Sequence, residues 1–273
     1  MATQTILSED ALTARSRAVW SAADFLPIAR SFAPGAEAFI ARLGLALGER
    51  LLDVACGTGN LAIPAARAGA RVTGVDIAPN LIATARDEAR AAGQAIRFDV
   101  GEAEALPYED ASFDTTVSMF GAMFAARPAQ AGAELVRVTR PGGRIALANW
   151  IPDGFIGRLL RAHTSLVPPP AGVPSPLDWG REGLVRERLG RRIATLTATR
   201  RTLELRFPLA PAAVSDLFAT SYGPTVATLR AAGPSGARRL RDELTELFRE
   251  HNIATDGATA VVGAYLDVQA RVG

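Results

Sequence analysis

From about residue 50 the chain alternates short apolar runs with longer stretches whose apolar positions recur every three to four residues. Strands separated by helices produce that alternation. Residues 50–55 (RLLDVA), 71–76 (RVTGVD), 95–100 (AIRFDV), 113–119 (FDTTVSM) and 144–150 (RIALANW) read as five strands. Between them, 61–70 reads as a helix ending at Gly69, and 79–93 as one opening on Pro79 and closing on Gly93. Residues 129–139 form a third, stopped by Arg-Pro-Gly-Gly at 140–143. Strands that alternate with helices of this length call for a parallel sheet covered on both faces. Right-handed crossovers reduce the choices to a doubly wound α/β sheet.

The flanks read differently. Residues 9–20 and 34–47 predict amphipathic helices ahead of the first strand. Past Trp150, the Pro-rich stretch 163–180 predicts an ordered irregular loop, held by Leu166, Val167 and Trp179. A short helix (182–189), a long strand (193–207), helices over 211–250 and a last strand (258–272) follow. Two late strands without a crossover helix between core and end predict an antiparallel edge, with 211–250 as an excursion over the sheet. The expected organisation is one domain over 1–273. Its parts are a helical cap (1–45), a cofactor-binding core (46–150) and acceptor-side lid insertions with the C-terminal strands (151–273).

Composition narrows the chemistry. The chain is 48% apolar and 21% charged, with a formal charge of +2 and acids and bases interleaved. That balance predicts no nucleic-acid groove. Cys56 is the one cysteine, and His163 and His251 are the two histidines, so no metal site is expected. Every basic residue is Arg, which excludes Schiff-base chemistry and a Lys base. The N-terminal residues lack the apolar core of a signal peptide, and no run of 18 apolar residues is present. The expectation is a cytoplasmic protein without membrane insertion.

The stretch 51–60, LLDVACGTGN, ends the first strand in a glycine pair. Gly57, Gly59 and Ala62 match the dinucleotide pattern loosely, so the glycines alone leave the ligand open. Asp53 lies four residues before Gly57. Its carboxylate would repel a pyrophosphate and favour a sulfonium or ammonium. Asp76 closes the second strand, where a carboxylate accepts both hydroxyls of a ribose, in NAD as in other adenosyl ligands. Glu102 and the Ala103 amide follow the third strand, where an adenine edge can be read.

Taken together, LLDVACGTGN, VTGVDIAP, GEAEALPYEDASFDTTVSMFGAMF and ELVRVTRPGGRIALANW resemble the successive motifs of class I S-adenosylmethionine-dependent methyltransferases. The ubiquinone/menaquinone-biosynthesis-like group of small-molecule enzymes is the nearest in flavour, and the resemblance covers roughly 45–150. It implies a mostly parallel, seven-stranded Rossmann-like sheet and S-adenosylmethionine as cofactor. It also implies roles at matching positions. Asp53 to Gly59, with Ala55, Gly57 and Thr58 between, would wrap the methionine part, and Asp76 would hold the ribose. Ile77 would pack on adenine, Glu102 and Ala103 would read its edge, and Ser118, Met119 and Phe120 would border the methyl group. Ala55 stands where the family often has Gly, and Glu102 where Asp is frequent.

Methyl transfer from a sulfonium needs alignment more than a fixed set of catalytic groups, so no catalytic residue is assigned. His163 is the candidate base by position. Trp20, Phe25, Phe124, Trp150, Trp179 and Tyr222, with Phe120, are candidates for an apolar acceptor pocket. The N-terminal segment, the 165–180 loop and the 211–250 helices are expected to close it. The expected partner is a small hydrophobic or aromatic metabolite with O, N or C as acceptor atom, and a homodimer is left open. The rival readings are a non-catalytic S-adenosylmethionine-binding protein and an NAD(P)-dependent oxidoreductase. The second would need a Tyr-x-x-x-Lys or similar constellation, which a chain without Lys cannot provide.

Overall fold

The computed structural model describes residues 7–273. Its centre is a seven-stranded sheet in the order β3-β2-β1-β4-β5-β7-β6. β1 (Arg50–Val54), β2 (Arg71–Asp76), β3 (Arg97–Val100), β4 (Phe113–Met119) and β5 (Thr139–Trp150) run parallel. β7 (Thr259–Val272) lies antiparallel to β5, and β6 (Ile193–Phe207) antiparallel to β7. β1 is buried from Leu51 to Val54, as expected of a central strand covered on both faces. β6 is the outer edge, and its exposed positions include Arg200, Arg201, Glu204 and Arg206. Charges there discourage edge-to-edge pairing.

The helices follow the strand order. α1 (Glu9–Trp20), α2 (Leu26–Ala29) and α3 (Ala33–Leu43) precede the sheet, and α3 ends on Gly44 in the left-handed region. α4 (Ala62–Arg67) and α5 (Pro79–Ala91) connect β1, β2 and β3, and α6 (Pro128–Val138) leads into β5. α7 (Phe155–Leu166) and α8 (Glu182–Leu189) come between β5 and β6. α9 (Pro211–Ser221), α10 (Gly223–Ala231) and α11 (Gly233–His251) make the excursion between β6 and β7.

Two local features depart from the expected elements, and a third divides the expected helical span. Arg-Pro-Gly-Gly follows the end of α6 at Val138, as expected, but it does not precede the fifth strand. It lies inside β5 as an irregularity: Phe113 pairs Thr139, yet Thr115 already pairs Arg144, with Gly142 at φ +73°. Glycine supplies the conformation that such a bulge requires. Residues 163–166 are helical rather than loop, because Phe155, Leu159, Ala162 and His163 continue a buried face that outweighs the prolines downstream. The 211–250 span breaks at two Gly-Pro pairs, each placing Pro in the first turn of a new helix.

Candidate active site

In this topology the chain leaves β1 toward β2 on one side and later returns to β4 on the other. The carboxyl ends of β1 and β4 therefore open a crevice where the winding reverses. The turn after β1 is shaped by backbone in the left-handed region, at Ala55 (φ +54°), Gly57 (φ +54°) and Gly59 (φ +91°). For alanine that conformation costs about 1–2 kcal/mol, which gives the glycine common at this position in the resembling family a physical reason. No atom lies within 4 Å of where a Gly57 side chain would start. The turn thus presents bare backbone to the crevice.

Asp76 anchors this turn. Its two carboxylate oxygens accept N–H groups from Gly57 and from Ala78, each at 2.9 Å, tying the turn after β1 to the turn after β2. Burial raises its pKa, while the amides of Ala78, Gly57 and Ile77 pull the other way. Asp53 has less support. It is 2% exposed, and its Oδ2 has no hydrogen-bond partner among the described residues. Burial pushes its pKa well up, the Ala62 amide opposes this, and the nearby Asp76 charge adds to the rise. The hydroxyl of Thr58, also lining the crevice, is likewise buried and unpartnered. A carboxylate buried without a partner is costly, and a cationic ligand would relieve that cost.

The sign of the Asp53 effect can be tested. A raised folded-state pKa means that the native state holds its proton while the unfolded chain has lost it. The penalty is absent below the unfolded value near 3.9. It grows as pH rises toward the folded value and is complete above it. Asp53→Asn is therefore expected to raise the melting temperature of the ligand-free protein by a few degrees at pH 8, with little gain at pH 4, while weakening cofactor binding. Thermal melts at both pH values check this, and equal gains would remove the electrostatic account.

The opposite wall is aromatic. β4 ends at Met119, and the backbone turns at Phe120, an aromatic residue at φ +58° held by its N–H on the Ala148 carbonyl at 2.8 Å. Strained backbone of this kind persists where the surroundings fix it. Phe120 stacks on Trp150 with centroids 3.5 Å apart and planes at 6°. Trp20, Phe25, Phe32, Phe124 and Tyr222 complete the wall through tilted and edge-on contacts at 5.1–6.3 Å. Burial pushes the Tyr222 phenol pKa upward, so it stays protonated. At the far end, Glu102 accepts the Thr13 hydroxyl of α1 at 2.9 Å and lies 3.6 Å from Arg127, which is paired to Glu104.

The crevice brings together Asp53, Ala55, Gly57, Thr58, Asp76, Ile77, Glu102, Ala103, Met119 and Phe120, and with them Trp20, Phe25, Phe124, Trp150 and Tyr222. Gly59 and Ser118 stand behind it. The Gly59 N–H bonds the Cys56 carbonyl, and the Ser118 hydroxyl accepts the Ala122 N–H at 2.9 Å. One expected acceptor-side residue, Trp179, and the loop that carries it lie elsewhere. Trp179 is 1% exposed, with the Arg188 guanidinium over its ring at 4.9 Å, because its short helical turn is packed against β5. The 165–180 loop lines a separate groove and does not close the crevice. Phe32, Asn60 and Leu81 also line the site and were not among the sequence candidates. Asn60 adjoins the glycine pair, and its amide holds the Ala29 carbonyl at 2.7 Å, so it fastens the N-terminal cap to the turn.

His163, the candidate base, lies outside the crevice. It sits 5% exposed on α7, away from the crevice lining. Its Nδ1 donates to the Leu159 carbonyl, and its Nε2 therefore accepts the Thr225 hydroxyl, both at 2.7 Å. Burial lowers its pKa to about 4. It thus favours the fold above the unfolded value near 6.5, and that contribution is lost as pH falls toward 4. His163→Ala is expected to cost about 1–3 kcal/mol of stability from unsatisfied buried groups and to leave cofactor affinity within twofold. Denaturant unfolding and calorimetry separate the two effects.

Among the described residues no helix is long and apolar enough to cross a membrane. A family model described as "Methyltransferase domain" matches residues 52–147. An uncharacterized protein of Mycobacterium tuberculosis is 38% identical over 239 residues, covering 86% of this chain and 87% of that one. The demethylmenaquinone methyltransferase of Deinococcus radiodurans is 40% identical over 128 residues, 45% of this chain and 53% of that enzyme. Among solved structures, the YcgJ protein of Bacillus subtilis superposes with a TM-score of 0.58 at 17% identity, covering 88% of this chain and 98% of that one. That last likeness is one of fold.

Proposed function

The chain belongs to the class I S-adenosylmethionine-dependent methyltransferases, and from that premise we propose that it methylates a small, largely apolar or aromatic metabolite held against the Phe120–Trp150 wall. The observation that carries this reading is the pairing of two unlike surfaces across one crevice. On one side are a buried carboxylate with one oxygen unpartnered among the described residues, Asp53, and a buried unpartnered hydroxyl, Thr58. Facing them is a wall of aromatic rings without a charged group.

These residues fit S-adenosylmethionine. Asp53 and Thr58 have unmet bonding capacity for an ammonium and a carboxylate, and the turn at 55–59, without a bulky side chain at Gly57, lets the methionine part come close to the backbone. Asp76 would take the ribose hydroxyls on its remaining lone pairs. Ile77 would pack on the adenine, whose edge Ala103 would read. Glu102 would serve the adenine only in part, since its carboxylate is held by Thr13 on α1. When bound, the cofactor supplies an electrophilic methyl group on a good leaving group.

The protein's own contribution is alignment and dryness. Orientation of two reactants is worth about 7–11 kcal/mol of barrier. Here the rigid turns after β1 and β4 would fix one reactant, and the stacked rings the other. Tyr222, protonated and at the wall, would donate a hydrogen bond to a polar atom of the acceptor. Ser118 would act on the donor side through the Ala122 amide that it positions.

A co-structure with S-adenosylhomocysteine tests the reading. The expected pose puts the ribose on Asp76 and the sulfur toward Phe120. Adenosine lodged among Trp20, Phe25 and Tyr222 would reverse the assignment of donor and acceptor sides.

A further inference from the structure

The aromatic wall has a second side. Trp20 and Phe124, in edge-to-face contact with ring centroids 5.1 Å apart, line the crevice on one face and a separate apolar groove on the other. Leu12 and Val19 of α1, Leu160 of α7 and Val173 and Leu177 of the Pro-rich segment form its sides. α1 has no fully buried residue, so the apolar side chains it turns to the groove are only partly covered by the rest of the protein. Among the described residues no Asp or Glu lines the groove. Its two cationic residues, Arg15 and Arg161, are exposed and therefore stand at the rim. One Nη of Arg161 donates to the Pro152 carbonyl at 2.8 Å, and the rest of its fork has no protein partner among the described residues.

We propose that this groove receives an apolar chain of the methyl acceptor, which enters from the crevice between Trp20 and Phe124 and ends in an anionic group at Arg15 and Arg161. The proposal rests on the methyltransferase reading of the crevice and specifies its substrate class. Three observations carry it. The groove and the crevice share Trp20 and Phe124 as a common partition, so a chain attached to a head group in one has a short path to the other. The partition is two half-buried rings on separate segments, and neither ring makes a side-chain hydrogen bond among the described residues. The groove is apolar along its length and positive at its mouth, which suits a chain ending in a carboxylate or phosphate and disfavours a cationic end.

The test uses the full chain saturated with S-adenosylhomocysteine, and a probe series of 4-alkylphenols and (4-hydroxyphenyl)alkanoates with two to ten chain carbons. Affinity is expected to rise about two- to fourfold for each methylene that enters the groove. At the longer lengths a carboxylate end should add about two- to fivefold over a methyl end. Val173→Trp, which fills the groove from an irregular segment, should abolish the dependence on length. Arg15→Gln with Arg161→Gln should abolish only the carboxylate advantage. Affinity that does not rise with chain length, or a rise that survives Val173→Trp, overturns the groove. A carboxylate that binds no better than a methyl end overturns the anionic terminus. S-adenosylhomocysteine affinity, measured first on each variant, reports folding. Its failure in the parent protein would strike the methyltransferase reading itself, and its retention confines any negative result to the groove. Leu12→Gln, on the α1 side, repeats the length test where Val173→Trp does not fold.

Discussion

Asp76→Ala is expected to lower affinity for S-adenosylhomocysteine at least 100-fold and to loosen the site even when empty. The carboxylate accepts the Gly57 and Ala78 amides at once, so its removal leaves two buried N–H groups without a partner. Each such group costs about 1–3 kcal/mol. The proposed ribose contacts are lost in the same step, and every 1.4 kcal/mol is a factor of ten in binding. Asp76→Asn should fall between the two, since it keeps one acceptor oxygen but turns an N–H toward a backbone donor. Calorimetric titration of the three proteins gives the ranking. Alanine and asparagine variants that bind like the parent would remove Asp76 from the ligand contact.

Gly121→Ala is the second large effect, and it acts through geometry alone. A methyl group at this position would lie 2.5 Å from the Ala55 carbonyl oxygen and 2.6 Å from its Cβ. The turn after β4 and the turn after β1 would have to separate. Overpacking of this kind costs about 1–3 kcal/mol, which for a chain of this size lowers the melting temperature by roughly 2–10 °C. Cofactor affinity should fall more than stability does, because the displaced backbone is the proposed methionine cradle. Gly183→Ala is the control, on an exposed helical turn with no neighbour within 4 Å, and there the melting temperature should hold or rise slightly. If both variants melt and bind like the parent, the two turns are not in the contact described.

The cofactor side of this site is legible in the sequence because local chemistry decides it. A strand ending in Gly-x-Gly fixes where backbone comes close to a ligand, and Asp53 and Asp76 sit at fixed offsets from it. The alternation of strand and helix that sets the order of the parallel strands is local too. Phe120 and Trp150 close their strands at the same end of the sheet, so their proximity could be read from pairing. Their face-to-face stacking could not, because it depends on the left-handed turn at Phe120 and on the pairing of β5 with a strand more than a hundred residues later.

Long-range packing decides the residues that the sequence does not place. Trp179 and His163 have the right chemistry, yet whether a ring faces a crevice or a core depends on how α7 and the Pro-rich segment fold back. No periodicity encodes that. Thr225, which satisfies His163, is 62 residues away in sequence. Phe32 and Asn60 were legible in part, one in a Pro-flanked aromatic stretch and the other beside the glycine pair. Glu102 shows the reverse case. Its position was readable, but its engagement by Thr13 on the N-terminal helix was not.

A buried Asp53 with one unpartnered oxygen, together with Asp76, suits this crevice to an adenosyl ligand that carries an amino group rather than to a pyrophosphate. Isothermal titration of the unmodified protein with S-adenosylmethionine, S-adenosylhomocysteine and NAD tests it most directly. Saturable one-to-one binding of both adenosyl compounds is expected, weakened by Asp53→Asn for both because both carry the amino group that Asp53 would hold, with no saturable binding of NAD. Saturable NAD binding without either adenosyl compound would contradict it.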